Sequence, residues 1–513
     1  MAWDISYGND KPRTILKKSI FIYTILVLLF FSFASLTAQN YEQKVLLTID
    51  DAISFAHKNS YKALEARNTL LISHWSFQTY KVELLPTLSF NVDLANINRS
   101  LVALQDANTA DIYYRRNFNM RNRGNLSLNQ NIALTGGILS LYSNILRLDQ
   151  YKPSRLITYY SEPLALSYTQ SLGGYNQLKW SKKIEPEKYE LAKRKYLESM
   201  STITLEAVDL FYNTAIEQMK LNIAKRNYQN TSIIYGMALK KLNLGTITKN
   251  ELKQVELKLI NDSIVVNDSN LRLIQQTQSI RLYLGLDKHY DIEIFIDEEL
   301  PNILLDEQQV FSHIIHNSTF SINHKIQEIE AEKEIARAKS NSRINSQIQI
   351  RFGVSNSKGE FKNVYKNLLD QEIISVSLSI PLIDWGSGKR EVLIAKKQAE
   401  TIKEQILYSY REFEKEIFND VERFNYQRSK CLLSDKARIL ANEWYELNVK
   451  NFENNSIKIT DLNISQAEKD EAFMNYINEL KNYWMYYYQI QKKTLYDYIS
   501  SRNISTELDK ILQ

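Results

Sequence analysis

Two carboxylates stand at matching places in two similar stretches, Glu251 in "LGTITKNEL" (244–252) and Asp461 in "NSIKITDL" (455–462), each just after a turn. In the first turn of a helix a carboxylate interacts favourably with the helix dipole. Lys458 precedes Asp461 by three positions, a spacing that brings opposite charges together on one helix face. Catalytic alternatives are thin. His313 and His316 have the i,i+3 spacing that metal ligands can have, yet no third ligand is near and an exposed helix face accounts for both. Cys431 is the only cysteine, which excludes an intramolecular disulfide and a Cys-based zinc site. There is no Gly-x-Ser-x-Gly elbow, phosphate loop or paired-Cys site, so neither an enzyme nor a cofactor or metal is expected. The aromatic run "NYWMYYYQIQ" (482–491) reads as packing between helices.

The elements that would position these residues are long. Only 13 Gly and 7 Pro occur in 513 residues, too few for the turns of two or three ordinary domains. The net charge of +5 comes with no basic block, which argues against nucleic acid. At the amino terminus Lys11, Arg13, Lys17 and Lys18 precede an apolar run from Ile20 to Phe33, and "ASLTAQ" offers cleavage after Ala38. That is the pattern of an export signal over residues 1–38, the run being shorter than the roughly 20 residues of a membrane span. Any later crossing must use strands.

Strand patterns are present. Leu88, Phe90, Val92 and Leu94 alternate with Thr87, Ser89, Asn91 and Asp93. Ile348, Ile350, Phe352 and Val354 do the same against Gln347, Gln349 and Arg351. So do Leu164, Leu166, Tyr168 and Leu172, and Val376, Leu378, Ile380 and Leu382 against Ser375, Ser377 and Ser379. Segments of about ten residues with this rhythm fit outer-membrane strands, apolar toward lipid and polar toward water; a half-buried strand of a soluble sandwich alternates as well. The helical patterns that follow decide between them. From Ala395 through Ala399, Ile402, Ile406, Tyr410, Phe413, Ile417, Val421 and Phe424 the apolar spacing is three or four, a narrow coiled-coil seam, and no Gly or Pro interrupts Glu391 to Asn455. Lys188 to Asn243 is its counterpart, interrupted only by Gly236. Such helices pack side by side in a stalk and offer no cover for a small soluble sheet.

The chain also repeats itself. "AISFAHKNSYKALEAR" (52–67) matches "VFSHIIHNSTFSINHK" (310–325), Asn59-Ser60 falling on Asn317-Ser318 at an offset of 258. "SYTQSLGGYNQLKW" matches "SLSIPLIDWGSGKR", and the two turn motifs match, at an offset of 210. The first copy therefore carries 48 extra residues between its two matched strands. The reading is a first repeat over 39–285 (strands near 86–97 and 163–173, turn near 245), a linker over 286–306, a second repeat over 307–500 (strands near 344–355 and 374–383, turn near 455) and a tail over 501–513.

In that order, "LTIDDAISFAHKNSYKALEAR", the Leu-Leu-Pro-Thr-Leu-Ser of 84–89, the Pro-Leu-Ile-Asp-Trp-Gly of 381–386, the turn motifs ending Glu251-Leu252 and Asp461-Leu462, and Leu284-Gly285 make the chain resemble the TolC-like outer membrane efflux family. The resemblance implies a homotrimer, mostly α, in which each chain gives four strands to a shared β-barrel and long antiparallel helices to a periplasmic tunnel. It implies a passive exit duct in the outer membrane of a Gram-negative bacterium, most of its mass in the periplasm, with outer membrane lipid, a periplasmic adaptor and an inner-membrane pump as partners. Gly386 and Gly388, with Gly173 and Gly174 in the first copy, then mark the turn from barrel to tunnel. Glu251 and Asp461 would recur three times about the axis, and rings of carboxylates favour cations. Family tips carry an Arg and a Tyr that latch the closed state; Ile457 and Phe452 stand in those places and can form no such latch, which leaves Lys458 with Asp461 as the substitute.

The 48 extra residues depart from the family pattern. Leu126, Leu128, Ile132 and Leu134 alternate, Gly136-Gly137 offers a two-residue turn and alternation resumes at Leu139, so an added hairpin would raise the count to six strands per chain; a large loop over the barrel mouth is the alternative. Tyr113, Tyr114, Tyr159 and Tyr160 suit an interfacial belt in either case. Ile292 to Ile296 reads as a short collar strand. Against the duct stands an exported trimeric stalk or adhesin without a pore, which planar-bilayer conductance would separate from it.

Overall fold

The computed structural model describes residues 43–105, 112–152, 154–287, 290–380, 382–454 and 456–504. The export signal, Pro381, Asn455 and residues 505–513 of the tail lie outside the described residues. Two compact units are present, one built from residues up to Ala52 with Asn213–Asp297, the other from Ile53–Tyr212 with the residues from Glu298 onward.

In the first unit β1 (Gln43–Leu47) pairs in parallel with β6 (Tyr290–Ile294), Val45 opposite Ile292. This pair places the short strand expected over 292–296 two residues earlier. Gln218, on the long helix α3 (Gln177–Asn243), donates from Nε2 to the Ile294 carbonyl at 3.0 Å and accepts from the Ile294 N–H at 2.9 Å. One side chain thus satisfies both backbone polar groups of Ile294. The returning helix α4 (Lys249–Leu284) buries Ile280 and Leu284 and ends on Gly285 at φ +64°, a left-handed cap that a Cβ would disfavour.

The second unit holds one six-stranded antiparallel sheet. Its order is β2 (Thr87–Gln105), β3 (Ile112–Ile132), β4 (Gly137–Lys152), β5 (Leu156–Leu172), β7 (Asn345–Lys358), β8 (Leu369–Ser379). The extra segment contributes β3 and β4 to the sheet itself, between β2 and β5. The strands run on past the apolar alternation, because backbone pairing continues where the side chains turn polar, as in "IYYRRNFNMRNRG" of β3. The turn between β3 and β4 is four residues, Ala133 to Gly136, rather than the two-residue Gly136-Gly137 turn expected: Gly136 takes the left-handed position at φ +76° and donates to the Ile132 carbonyl, while Gly137 is already paired with Ile132.

Helices flank the sheet in sequence. α1 (Ile49–Asn59) and α2 (Tyr61–Val82) precede β2; α5 (Glu307–Asn317) and α6 (Thr319–Asn341) precede β7. Each pair breaks at a serine, Ser60 capping Ala63 N–H and Ser318 capping Phe320 N–H, which explains why Asn-Ser recurs at the offset of 258. α3, after β5, and α7 (Ser387–Glu453), after β8, are each 67 residues, and α4 and α8 (Ile459–Thr494), which follow them, each 36. Both helices of the later pair start 210 positions after their counterparts, 177 to 387 and 249 to 459. α3 starts earlier than Lys188, the expected boundary, with Pro186 inside it. No helix among the described residues is long and apolar enough to cross a membrane.

The core of this unit lies where α5, α7 and α8 meet. Ile417, Val421 and Phe424 of the seam are buried with Val310, Ile314, Tyr483 and Tyr487. The aromatic run of α8 therefore packs between helices: Phe424 lies 5.1 Å from the Tyr483 ring. His313 is half-buried and stacked on Tyr496 at 4.1 Å, not on an open face, whereas His316 is exposed. Packing of its ring by the aromatics that follow α8 is the reason.

Candidate functional site

The sheet register turns six separate alternations into two faces. On one face Leu88, Leu128, Leu141, Leu166 and Phe352 lie side by side in one row that ends on Glu372 of β8, and Leu139, Tyr168, Ile350 and Ile374 follow Gln130 of β3 in the next. On the other, Ser89, Ser127, Tyr142, Ala165, Gly353 and Gln371 form a row, and Asn91, Asn125, Asn144 and Glu162 another. The apolar row is left open: Leu88 is 66% exposed, Phe90 68% and Val376 67%. A contiguous apolar surface across six strands is far larger than a water-facing sheet tolerates. β2 and β8 end the sheet, each with one edge that no strand of this chain covers among the described residues. Even the shortest strand, β8 with 11 residues, meets the ~9–11 that a tilted membrane strand needs.

The polar face is drawn tight. A Cβ on Gly353 would come within 2.8 Å of the Ala165 Cβ, so only glycine allows β5 and β7 to approach as they do. Glu162, buried, accepts from Asn144 Nδ2 at 3.3 Å. Of the tyrosines expected in a belt, Tyr114 and Tyr159 belong to the apolar face by register, but Tyr160 is on the polar face; the Tyr113 side chain lies outside the described residues. Adjacent strand residues cannot share a face, which is why Tyr159 and Tyr160 part.

At the helix end of the sheet the four expected glycines differ in what they do. Gly173 and Gly386 hold φ of +73° and +77°, where the chain turns out of β5 and toward α7. Gly388 is needed for space: a Cβ there would meet the Ser342 Cβ, just after α6, at 2.8 Å, whereas one on Gly174 would meet chiefly the Ser171 hydroxyl, which can rotate away. Two further residues act here beyond the four glycines. Asn176 accepts from Lys179 N–H at 3.0 Å, capping α3, and donates to the Ala133 and Leu134 carbonyls at 3.0 and 3.3 Å. With Gln130 donating to the Leu84 carbonyl and Gln170 to the Thr135 carbonyl, the β3–β4 turn is tied both to the end of α2 and to the start of α3. The added hairpin is thereby part of the junction.

Asp384 is the second. Its Oδ1 accepts from Gly386 N–H at 2.9 Å and its Oδ2 from Gly388 N–H at 3.1 Å. These two donors hold its carboxyl below the usual range. The signal was the Asp-x-Gly-x-Gly spacing in "DWGSG". Because the folded value is depressed, the ionised form favours the folded junction above the unfolded value of about 3.9, and that preference fades as pH falls through the folded value. Asp384→Ala is expected to speed amide exchange at both Gly386 and Gly388, and Asp384→Asn chiefly at one of them, in hydrogen-exchange mass spectrometry; unchanged protection in both variants would remove Asp384 from this role.

At the hairpin turns the expected acids cap helices. Glu251 Oε2 accepts from Thr248 N–H at 2.7 Å and from its hydroxyl at 3.0 Å, while Thr248 Oγ1 accepts from Glu251 N–H, a complete capping box at the start of α4. Asp461 Oδ2 accepts from Lys458 N–H at 3.3 Å, so the two are joined through the backbone of Lys458. Before each box the chain closes the same way: Thr246 N–H donates to the Lys241 carbonyl, and Ser456 N–H to the Asn451 carbonyl. Glu251, Lys458 and Asp461 are all exposed, the first in one unit and the other two in the other.

No protein-family profile matches the sequence, and no curated protein matches it. Solved structures do match. The chain is similar to the outer membrane channel CmeC of Campylobacter jejuni (12% identity, TM-score 0.63, 90% of this chain and 88% of that one). It is similar to the outer membrane protein VceC of Vibrio cholerae (10%, 0.61, 89% and 97%) and to the outer-membrane channel OprN (10%, 0.60, 87% and 89%). The fold is that of the TolC-like outer membrane channels.

Proposed function

We propose that this chain is the passive outer-membrane exit duct of a tripartite efflux or type I secretion system, working as a homotrimer of two tandem repeats per chain. The observation that carries the reading is the sheet with one largely apolar face, one polar face and two uncovered edges. Lipid tolerates no open edge, so β2 and β8 must be paired by further copies. Three copies of six strands make a barrel of about eighteen, wide enough for a water-filled lumen lined by the polar face. α7 supports the assembly, since Ile394, Tyr408, Leu433 and Leu440 are exposed within one chain and offer an apolar flank to a neighbouring helix. The long helices then form the periplasmic tunnel. An export signal over 1–38 delivers the chain, and a periplasmic adaptor with an inner-membrane pump supplies the energy.

The hairpin turns form the inner gate in this reading. Glu251 and Asp461, each threefold about the axis, set a preference for cations while also capping their helices, and Lys458 partly offsets Asp461. Planar-bilayer recording of the purified trimer tests both levels. Ion conductance is expected from the wild type, and Glu251→Gln with Asp461→Asn should move the reversal potential toward non-selectivity. A heat-resistant trimer that passes no current would favour a poreless stalk instead; conductance with unaltered selectivity in the double variant would leave the duct standing and dismiss these acids as its filter.

A further inference from the structure

Beyond the apolar band, on the same face of the sheet, the register assembles two rows of one kind. In the first, Arg99 of β2 lies opposite Phe118 of β3, which lies opposite Lys152 of β4. In the second, Arg147 of β4 lies opposite Tyr159 of β5, which lies opposite Lys358 of β7. Each row reads cation, aromatic, cation. The cations at its ends are two strand spacings apart, about 10 Å. Ring contacts fix the middle members: Tyr151 packs on Phe118 at 4.8 Å, Phe361 meets Tyr159 edge-on at 5.6 Å, and the Arg147 guanidinium lies 5.9 Å from the Tyr159 ring. Arg116 adds a further cation opposite Leu101.

Of the acids nearby, one takes up a single cation of this surface. Asp149 is buried and takes both Nε and Nη2 of Arg147 on one oxygen, at 3.1 and 2.8 Å. Asp370 and Glu372 share this face but stand opposite Val354 and Phe352, toward the apolar band. Arg99, Lys152 and Lys358 are exposed. Apolar side chains are interleaved with them, Leu101 at 64% exposure and Ile157 at 36%, so the surface continues the apolar band.

We infer that these two rows are a docking surface for the phosphorylated headgroup of an outer-leaflet lipid. The cations meet phosphate charge, and the aromatic rings stand at the depth where amphipathic rings settle between acyl chains and water. The inference rests on the proposed membrane duct, and places these strand ends at its outer leaflet. It is tested with the full chain, purified in detergent and moved into phosphatidylcholine nanodiscs doped with diphosphorylated lipid A or with its dephosphorylated counterpart, the retained lipid being counted by native mass spectrometry. Arg147 is kept, because Asp149 depends on it. The wild type is expected to retain the phosphorylated lipid selectively, single changes Arg99→Gln, Lys152→Gln or Lys358→Gln to weaken retention about fivefold each, and the triple variant about a hundredfold. Arg99→Lys should preserve it. Equal retention of the two lipids by the wild type, or a triple variant that folds and retains as the wild type does, overturns the inference alone. A chain that never enters the nanodisc overturns the duct and this surface together.

Discussion

Ile350→Arg is expected to abolish most insertion, while Gln349→Arg next to it leaves the protein folded and conducting. Ile350 is flanked on the apolar face by Tyr168 and Ile374, and Gln349 on the polar face by Thr169 and Ser375. An arginine facing lipid near mid-depth costs about 2–4 kcal/mol, whereas one facing a watery lumen costs little and changes selectivity. Three copies multiply the penalty, because each chain of the trimer carries it. The readout is the fraction of heat-resistant trimer in outer-membrane extracts. Equal tolerance of the two substitutions would mean that the sheet has no lipid-facing side, and the duct would fall with it.

The second large effect belongs to the helices. Phe424→Ala removes a side chain that is 0% exposed and in ring contact with Tyr483 and Tyr487. Losing that volume is expected to cost about 3–5 kcal/mol, a large part of the stability of an ordinary domain. The α7–α8 hairpin should become protease-sensitive well below the wild-type unfolding temperature. Phe424→Leu fills much of the space and should recover a good part of the loss. Wild-type protease resistance in Phe424→Ala would show that the hairpin is held from elsewhere.

Much of this architecture is legible in the residues. Alternation at Leu88–Leu94 and Ile348–Val354 marks strands because a sheet with one apolar and one polar face must separate its side chains by face. The three-and-four spacing from Ala395 to Phe424 marks a helix seam, and its Ile417, Val421 and Phe424 are the buried positions. Asn59-Ser60 and Asn317-Ser318 mark helix breaks because serine caps the next helix through a local bond. Glu251 as a capping residue was equally readable, since its partner Thr248 is three positions away.

What the sequence by itself determined, then, is everything governed by neighbours a few positions apart: strand rhythm, helix length, caps, and the αL glycines at the turns. Only the tertiary structure decided whether the 48 extra residues join the sheet or cover it, since pairing Leu172 with Ser346 and Leu141 with Leu166 depends on contacts between residues far apart in the chain. It alone revealed that Gly353 and Gly388 exist for close approach, that Asn176 ties a distant turn to a helix start, and that Tyr160 lies on the face opposite Tyr159. The physical reason is that register is set by whole faces packing together, and no local pattern encodes which row of one strand will lie beside which row of another.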